Sequence, residues 1–554
     1  MAKAIMMQGT SSNVGKSVLA AALCRIFYRD GHKVVPFKSQ NMALNSYVTS
    51  DGGEMGRAQV VQAEAAGIEP QVEMNPILLK PTGQASSQVI VLGRPIGNIS
   101  AREYHLEYAT SALDTIQACL DKFNNEYDII VIEGAGSPAE VNLKARDIAN
   151  MRVAKMADAP VLLVADIDRG GALASIVGTL ALLDPDERER VKGIIINKFR
   201  GDISLLQPAI DFLEDYTKIP VLGVVPYFRG LNIQEEDSVA LEKAERQVPS
   251  GERLDIAVIR LPRISNFTDL DALEAEGVAR VRYVEEAGEL GKPDLVIIPG
   301  TKNTIEDMCW LRRKGIDREI QVLAKNGVPL WGICGGYQML GREIADPAGV
   351  ESTLPSISGL GLLDMVTTME AEKVTRLVTA TLCGPGPFLS PLQGLTVQGY
   401  EIHMGQSNPV GDQPSFCRIR QRGDETVDVA DGLVGGDGLV IGSYLHGIFD
   451  NEPLRHHLLN TLRRKKGLPE IDFAGIPSIR ERREQDYDRL GEIVRQSLRM
   501  DLLYEIVGLP GPARGSGSAP VNGSSVSYEP VVAQGSAGSP GTTGIQGPTD
   551  PQVG

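Results

Sequence analysis

Short apolar runs alternate with longer amphipathic stretches along most of the chain. That is the pattern of a parallel α/β sheet with strands buried on both faces. In the first half, residues 4–7, 33–37, 129–133, 161–165, 193–197 and 221–225 predict strands, with helix-length segments such as 17–28 and 104–123 between them. The strip 229–252 is charged and lacks apolar periodicity, so it reads as a connection. Strand signals resume at 256–261, 295–299, 329–333 and 439–444, which predicts a second α/β unit. From about Pro510 glycine, serine, proline and threonine dominate, and such a segment buries too little surface to offset its ordering entropy. The expected organisation is a first domain over 1–235, a linker over 236–252, a second domain over 253–505 and a disordered tail over 510–554.

Length agrees with this division, because 554 residues exceed one ordinary core. Apolar content of 42% with 23% charged residues suits a soluble globular protein. A formal charge of −16 argues against bulk nucleic-acid binding but leaves room for a local anion pocket. The six cysteines are scattered, without disulfide or metal-ligand spacing, which fits a reducing compartment. The N-terminal apolar run is too short for a signal peptide, and no stretch approaches the roughly 18 apolar residues of a membrane span. A cytoplasmic protein without membrane or nucleic-acid partners is expected.

Two stretches carry chemistry. The run GTSSNVGKS at 9–17 follows the first strand and opens the first helix, where a phosphate-binding loop belongs. Gly9, Thr10, Asn13, Gly15, Lys16 and Ser17 are the candidate ATP contacts, with Lys16 on the terminal phosphates and Ser17 on magnesium. The spacing holds one residue more than the usual loop. Glu133 ends a buried strand, a place for a second magnesium ligand. Asn197 follows another strand and reads either as a base contact or as a turn residue. The polar run 38–45 and the segment 51–59 are either a surface loop or the wall of a pocket for a multiply charged substrate. Their position after the second strand favours the pocket, with Lys38, Gln40, Asn41 and Arg57 facing substrate and Glu54 near the metal.

The run VPLWGICGGYQML at 328–340 reads strand, Gly-x-Cys-x-Gly, helix. This is the nucleophile-elbow pattern with sulfur in place of oxygen. The helix N-terminus beneath Cys334 favours a thiolate, and the Gly335 N–H is a candidate oxyanion donor. Gly300, at the end of another strand, is either a second donor or a simple turn. Of the six histidines, His446 follows a strand as Cys334 does and is the preferred base. His403 is its competitor, and His456 and His457 sit in a basic helical context.

These motifs resemble a known family. Residues 332–336 with SYLHGIF at 443–449 are similar to the class I-like glutamine amidotransferase half of the cobyric acid and cobyrinic acid diamide synthases. The 9–17 loop, with its extra residue, and EGAG at 133–136 resemble dethiobiotin-synthetase-type ligases. The 38–45 run with 54–59 is similar to the cobyric acid synthases rather than the diamide synthases. The resemblance implies that Cys334 attacks glutamine and releases ammonia, with His446 moving the proton. It implies that magnesium and ATP phosphorylate a carboxylate, which ammonia converts to an amide. The implied substrate is the corrinoid adenosylcobyrinic acid a,c-diamide, amidated at its b, d, e and g carboxylates in cobalamin biosynthesis. Many cysteine glutaminases carry glutamate two residues after the histidine. Ile448 stands there, so a third catalytic group is absent or elsewhere, Asp450 being one candidate.

Overall fold

A computed structural model of the protein describes residues 1–82, 86–100, 109–228, 230–234 and 253–511. The expected linker at 236–252, the start of the expected helix at 104–123, and the tail beyond 511 lie outside the described residues.

The first sheet is wholly parallel among its paired strands. It contains β1 (Lys3–Gly9), β2 (Val34–Phe37), β3 (Ile129–Glu133), β4 (Val161–Asp166), β5 (Val191–Phe199) and β6 (Val221–Pro226), in the spatial order β6-β5-β4-β1-β3-β2. β3 is buried at every position, as the uninterrupted apolar run requires when helices cover both faces. The helix α1 (Lys16–Arg29) leaves the C-terminal end of β1 at the centre of the sheet. There β1 lies between β3 and β4, so the strand order reverses and opens a crevice above the strand ends. An insertion between β2 and β3 adds a small sheet formed by Gln40–Met42, Ile77–Pro81, Ser86–Val91 and Arg94–Ser100.

The second sheet holds β7 (Leu254–Ile259), β8 (Ala279–Val284), β9 (Leu295–Ile298), β10 (Leu330–Ile333), β11 (Leu433–Gly435) and β12 (Val440–Ser443), ordered β8-β7-β9-β10-β12-β11. β10 and β12 pair in parallel with Ile333 opposite Ser443, so the segments that follow them emerge side by side. An antiparallel layer absent from the sequence reading fills the stretch between them. Its long strands Met365–Leu382 and Thr396–Pro409 pair over most of their length.

One boundary differs from expectation. Helices α4 (Ile479–Ser497) and α5 (Met500–Val507), placed by the sequence reading in the second domain, pack on the first. Tyr487, Leu490, Val494, Leu503 and Tyr504 share a core cluster with Leu19, Leu23 and Phe27 of α1. The buried Arg25 guanidinium joins the carboxylates of Asp488 at 2.7 Å and Glu484 at 2.8 Å. Main-chain contact closes the return, with Arg499 N–H donating to Leu222 O at 2.7 Å. The apolar face of α4 covers the outer apolar face of α1, so both are buried.

Candidate active sites

At the end of β1 the chain turns through left-handed backbone at Asn13 (φ 59) and Gly15 (φ 100) before α1 begins. Gly15 is required twice over, since a Cβ there would also lie 2.2 Å from Asn197 Nδ2. Lys16 Nζ donates to the carbonyls of Ser11 and Gly136 at 3.0 and 3.1 Å, which holds the ammonium at the loop's mouth. Ser17 Oγ donates to Glu133 Oε1 at 2.8 Å, and Lys38 Nζ reaches the same oxygen at 2.8 Å. Gln62 on helix α2 (Arg57–Ala65) donates to Glu133 Oε2 at 2.6 Å. Burial pushes the Glu133 carboxyl up, but the Lys38 charge and these hydrogen bonds outweigh it and hold the group below the usual carboxylate range. Ser17 and Glu133 thus bring a hydroxyl and an ionised carboxylate together. That oxygen set suits magnesium, which takes few protein ligands and completes its shell with phosphate and water.

These groups line a cavity of about 500 Å³, together with Asn13, Asn41, Arg169 and Tyr227. Asn197 also lines it. Its Nδ2 holds the loop through Val14 O at 2.7 Å, while its Oδ1 has no hydrogen-bond partner among the described residues. Gly9 and Thr10 support the loop from behind. The Thr10 N–H is used by Val164 O, and a Cβ on Gly9 would collide with Val14. Gln40 and Arg57 do not line the cavity; Arg57 donates to Gln234, which does, at 2.8 Å and lies over the Tyr47 ring.

Glu54 requires a correction. It does not join Ser17 and Glu133. Its fully buried carboxylate takes Lys80 at 2.7 Å and Ser46 Oγ at 2.9 Å on one oxygen, and Lys373 from the second half on the other. Two cations already neutralise it, so no charge is left to attract a metal. Among the described residues no cluster of three acidic, histidine or cysteine side chains forms a ready metal cage.

In the second half, Cys334 sits between β10 and helix α3 (Gly335–Leu340) at φ 53, ψ −110, a strained conformation for a residue with a side chain. The strain is fixed by close packing. A Cβ on Gly336 would lie 1.9 Å from Ile298 O, so only glycine lets the turn settle on β9. Gly335 is the first residue of α3, where an N–H has no intrahelical acceptor. Gly300 approaches from the end of β9, close enough that a Cβ there would be 3.1 Å from His446 Cε1.

His446 is fully buried and stacks on Tyr400 at 5.2 Å. Its Nδ1 meets Asp269 Oδ2 at 2.6 Å, and Gly447 N–H donates to Asp269 Oδ1 at 2.9 Å. Burial alone would lower the imidazole pKa. The charge and hydrogen bond of Asp269, with Cys334 beside the ring, outweigh it and raise the value to about 10. Asp269 is the third group that the sequence reading missed. Asp450, the candidate considered there, instead faces Arg483 at 3.4 Å. The competitor His403 donates from Nδ1 to Gly405 O, 3.1 Å away, and stacks on Tyr444 at 3.7 Å. It lines the Cys334 pocket without an acidic group on its Nδ1. Lys302 and Glu351 also line this pocket, where burial pushes the Glu351 carboxyl up to about 7 and the Lys302 ammonium down.

Asp269→Asn tests this geometry. An amide offers Nδ1 no ionic partner, so glutamine hydrolysis is expected to fall about 10²- to 10⁴-fold. The influence that raises the His446 pKa is removed while burial, which lowers it, remains. The alkaline limb of the pH–rate profile is therefore expected to move to lower pH. An unchanged profile from stopped assays across pH would count against Asp269.

The profile of a CobQ/CobB/MinD/ParA nucleotide binding domain matches residues 5–239, and that of a CobB/CobQ-like glutamine amidotransferase domain matches 255–454. A phosphate-loop half and a cysteine glutaminase half in one chain define the class: a glutamine-hydrolysing, ATP-dependent amide ligase. The chain is 58% identical over 512 residues to the cobyric acid synthase of Moorella thermoacetica, covering 92% of this chain and 98% of that one. It is 58% identical over 516 residues to that of Pelotomaculum thermopropionicum, again covering 92% and 98%. The cobyric acid synthase of Dehalococcoides mccartyi strain CBDB1 is 54% identical over 507 residues, covering 92% and 99%. The chain belongs to the cobyric acid synthase family.

Proposed function

We propose that the protein amidates the b, d, e and g carboxylates of adenosylcobyrinic acid a,c-diamide, with glutamine as nitrogen source and ATP as activator. The observation that carries the reading is the pairing of Cys334, beside an Asp269-held His446, with the Ser17–Glu133–Lys38 cluster in one compact chain.

In the glutaminase half the Cys334 sulfur attacks the side-chain amide carbon of glutamine. The N–H groups of Gly335 and Gly300 receive the developing oxyanion. The charged His446 ring gives its proton to the departing nitrogen, the C–N bond breaks, and ammonia leaves a glutamyl thioester. Water then attacks the thioester, giving its proton to His446, and glutamate is released. Asp269 keeps a proton on Nδ1 throughout, so that Nε2 does the exchange.

In the other half, Lys16 and the loop N–H groups stabilise the terminal phosphate as a substrate carboxylate oxygen displaces ADP. Magnesium, held by Ser17 and Glu133, would supply charge neutralisation on the phosphates. Asn197 meets the base, and Lys38 and Asn41 face the substrate. Ammonia then attacks the acyl phosphate and phosphate departs. Joining the halves matters because free ammonia in water is mostly ammonium, which is not nucleophilic. A reducing cytoplasm suits the free thiol and the ATP supply. No described helix is long and apolar enough to cross a membrane.

The test is an incubation of the full chain with glutamine, magnesium, ATP and the corrinoid, followed by mass spectrometry. The expected result is a ladder of four acid-to-amide conversions. A folded protein that converts none, or that amidates cobyrinic acid at a and c instead, would refute the reading.

A further inference from the structure

The two halves meet at the turn that presents Asp269. Asn266 takes the left-handed conformation (φ 52) ahead of the short turn Phe267–Leu270. Ser46 N–H, from the first half, donates to Asn266 Oδ1 at 3.0 Å, and Phe267 N–H donates in return to Asn45 Oδ1 at 3.1 Å. Each asparagine therefore satisfies a backbone donor of the opposite half. Both are buried, Asn45 with 0% and Asn266 with 2% of its surface exposed, so water does not compete for these bonds.

Both ends of the clasp are anchored. On one side the Ser46 hydroxyl donates to Glu54, which Lys80 and Lys373 hold in turn. Arg57 N–H adds a bond to Asn45 O at 3.3 Å. The polar run that ends at Asn45 begins at Lys38, on Glu133. On the other side Ser265 N–H donates to Gly300 O at 2.9 Å, and Asp269 follows Phe267 by two residues. Its carboxylate then grips both the His446 ring and the Gly447 N–H. The turn is short and is seated in the second half's core through Phe267 and Leu270, and the clasp adds the bonds that tie its orientation to the first half.

We propose that Asn45 and Asn266 are positioning residues for glutamine hydrolysis, through which the first half fixes the turn that offers Asp269 to His446. The proposal rests on the reading of Cys334, His446 and Asp269 as the glutaminase triad. The glutaminase is then complete only when docked on the half that consumes its ammonia.

The experiment uses full-length Asn45→Ala and Asn266→Gly. Glycine accepts the left-handed backbone and removes only the acceptor. Glutamine hydrolysis is measured for kcat and KM across pH, and glutamine-supported amidation is compared with amidation supported by ammonia. A displaced positioning group costs on the order of 10- to 100-fold, so kcat should fall by that factor with little change in KM. The alkaline limb should move down as in Asp269→Asn, and the ratio of glutamine- to ammonia-supported rates should fall. Asn266→Asp, which keeps an acceptor and tolerates the backbone, should recover activity over Asn266→Gly. Unchanged kcat in Asn45→Ala, a rise in KM alone, or equal loss of both amidation activities overturns the proposal. If Asp269→Asn is impaired and Asn45→Ala is not, the clasp alone falls. If neither is impaired, the triad falls and takes the clasp with it.

Discussion

Cys334→Ala is expected to abolish glutamine-supported amidation while high ammonia still sustains the ligase. The sulfur is the candidate nucleophile at the end of β10 that would carry the acyl intermediate. Loss of a covalent nucleophile costs about 10⁴-fold or more. The substitution should not disturb the fold. Alanine replaces one buried side chain by a smaller one at the same backbone angles, and the close approaches that shape the turn belong to Gly336 rather than to the sulfur. The phosphate-loop groups are untouched, so external ammonia has an acyl phosphate to attack. Only unprotonated ammonia reacts, so the rescued rate should climb with pH as that fraction grows. The measurement is amide formation with glutamine or with ammonium chloride over a pH series. A folded variant that ammonia fails to rescue would show that the halves do not divide the reaction this way.

What was legible in the sequence shares one property: it is local. The loop at 9–17 and the elbow around Cys334 are contiguous, and each is bracketed by the strand and helix that its chemistry needs. The ten predicted strands of the two main sheets were visible because burial on both faces writes an apolar run, whereas the edge strands Ala279–Val284 and Leu433–Gly435 of the second sheet were not predicted. The antiparallel layer was not. Its strand Met365–Leu382 alternates in burial, but threonines and a charged middle dilute the period-2 signal.

The missed groups are those that only folding brings near. Asp269 reaches His446 from 177 positions away, and nothing in its neighbourhood resembles a catalytic motif. Glu54 looked like a metal ligand because the sequence does not show that Lys80 and, 319 positions downstream, Lys373 neutralise it. Gln62 went unread, although it shares the α2 face with Ala58, which lines the nucleotide cavity. Helix α4 carries an apolar stripe, but the stripe does not say which domain it covers. That choice is made by Arg25, whose buried charge needs Glu484 and Asp488.

Lys16→Ala is expected to remove both glutamine- and ammonia-supported amidation, and by the same factor. The two nitrogen sources converge on one acyl phosphate, and Lys16 acts before they meet. Removing a preorganised charge from a developing transition state costs on the order of 10²- to 10³-fold. Lys38 on the same wall cannot substitute, because it is bound to Glu133 at 2.8 Å and leaving it would strip a buried carboxylate of its counter-charge. Lys16→Arg should fail nearly as badly. A Cβ on Gly9 would stand 2.8 Å from Nζ, so the ammonium passes close over the loop backbone and a planar guanidinium has no room there. Glutamine binding should survive, since Cys334 and its neighbours lie in a separate pocket. A hydrolysis assay run beside both amidation assays separates the outcomes. If Lys16→Ala spared the ammonia-supported reaction, the 9–17 loop would not be the site where the carboxylate is activated.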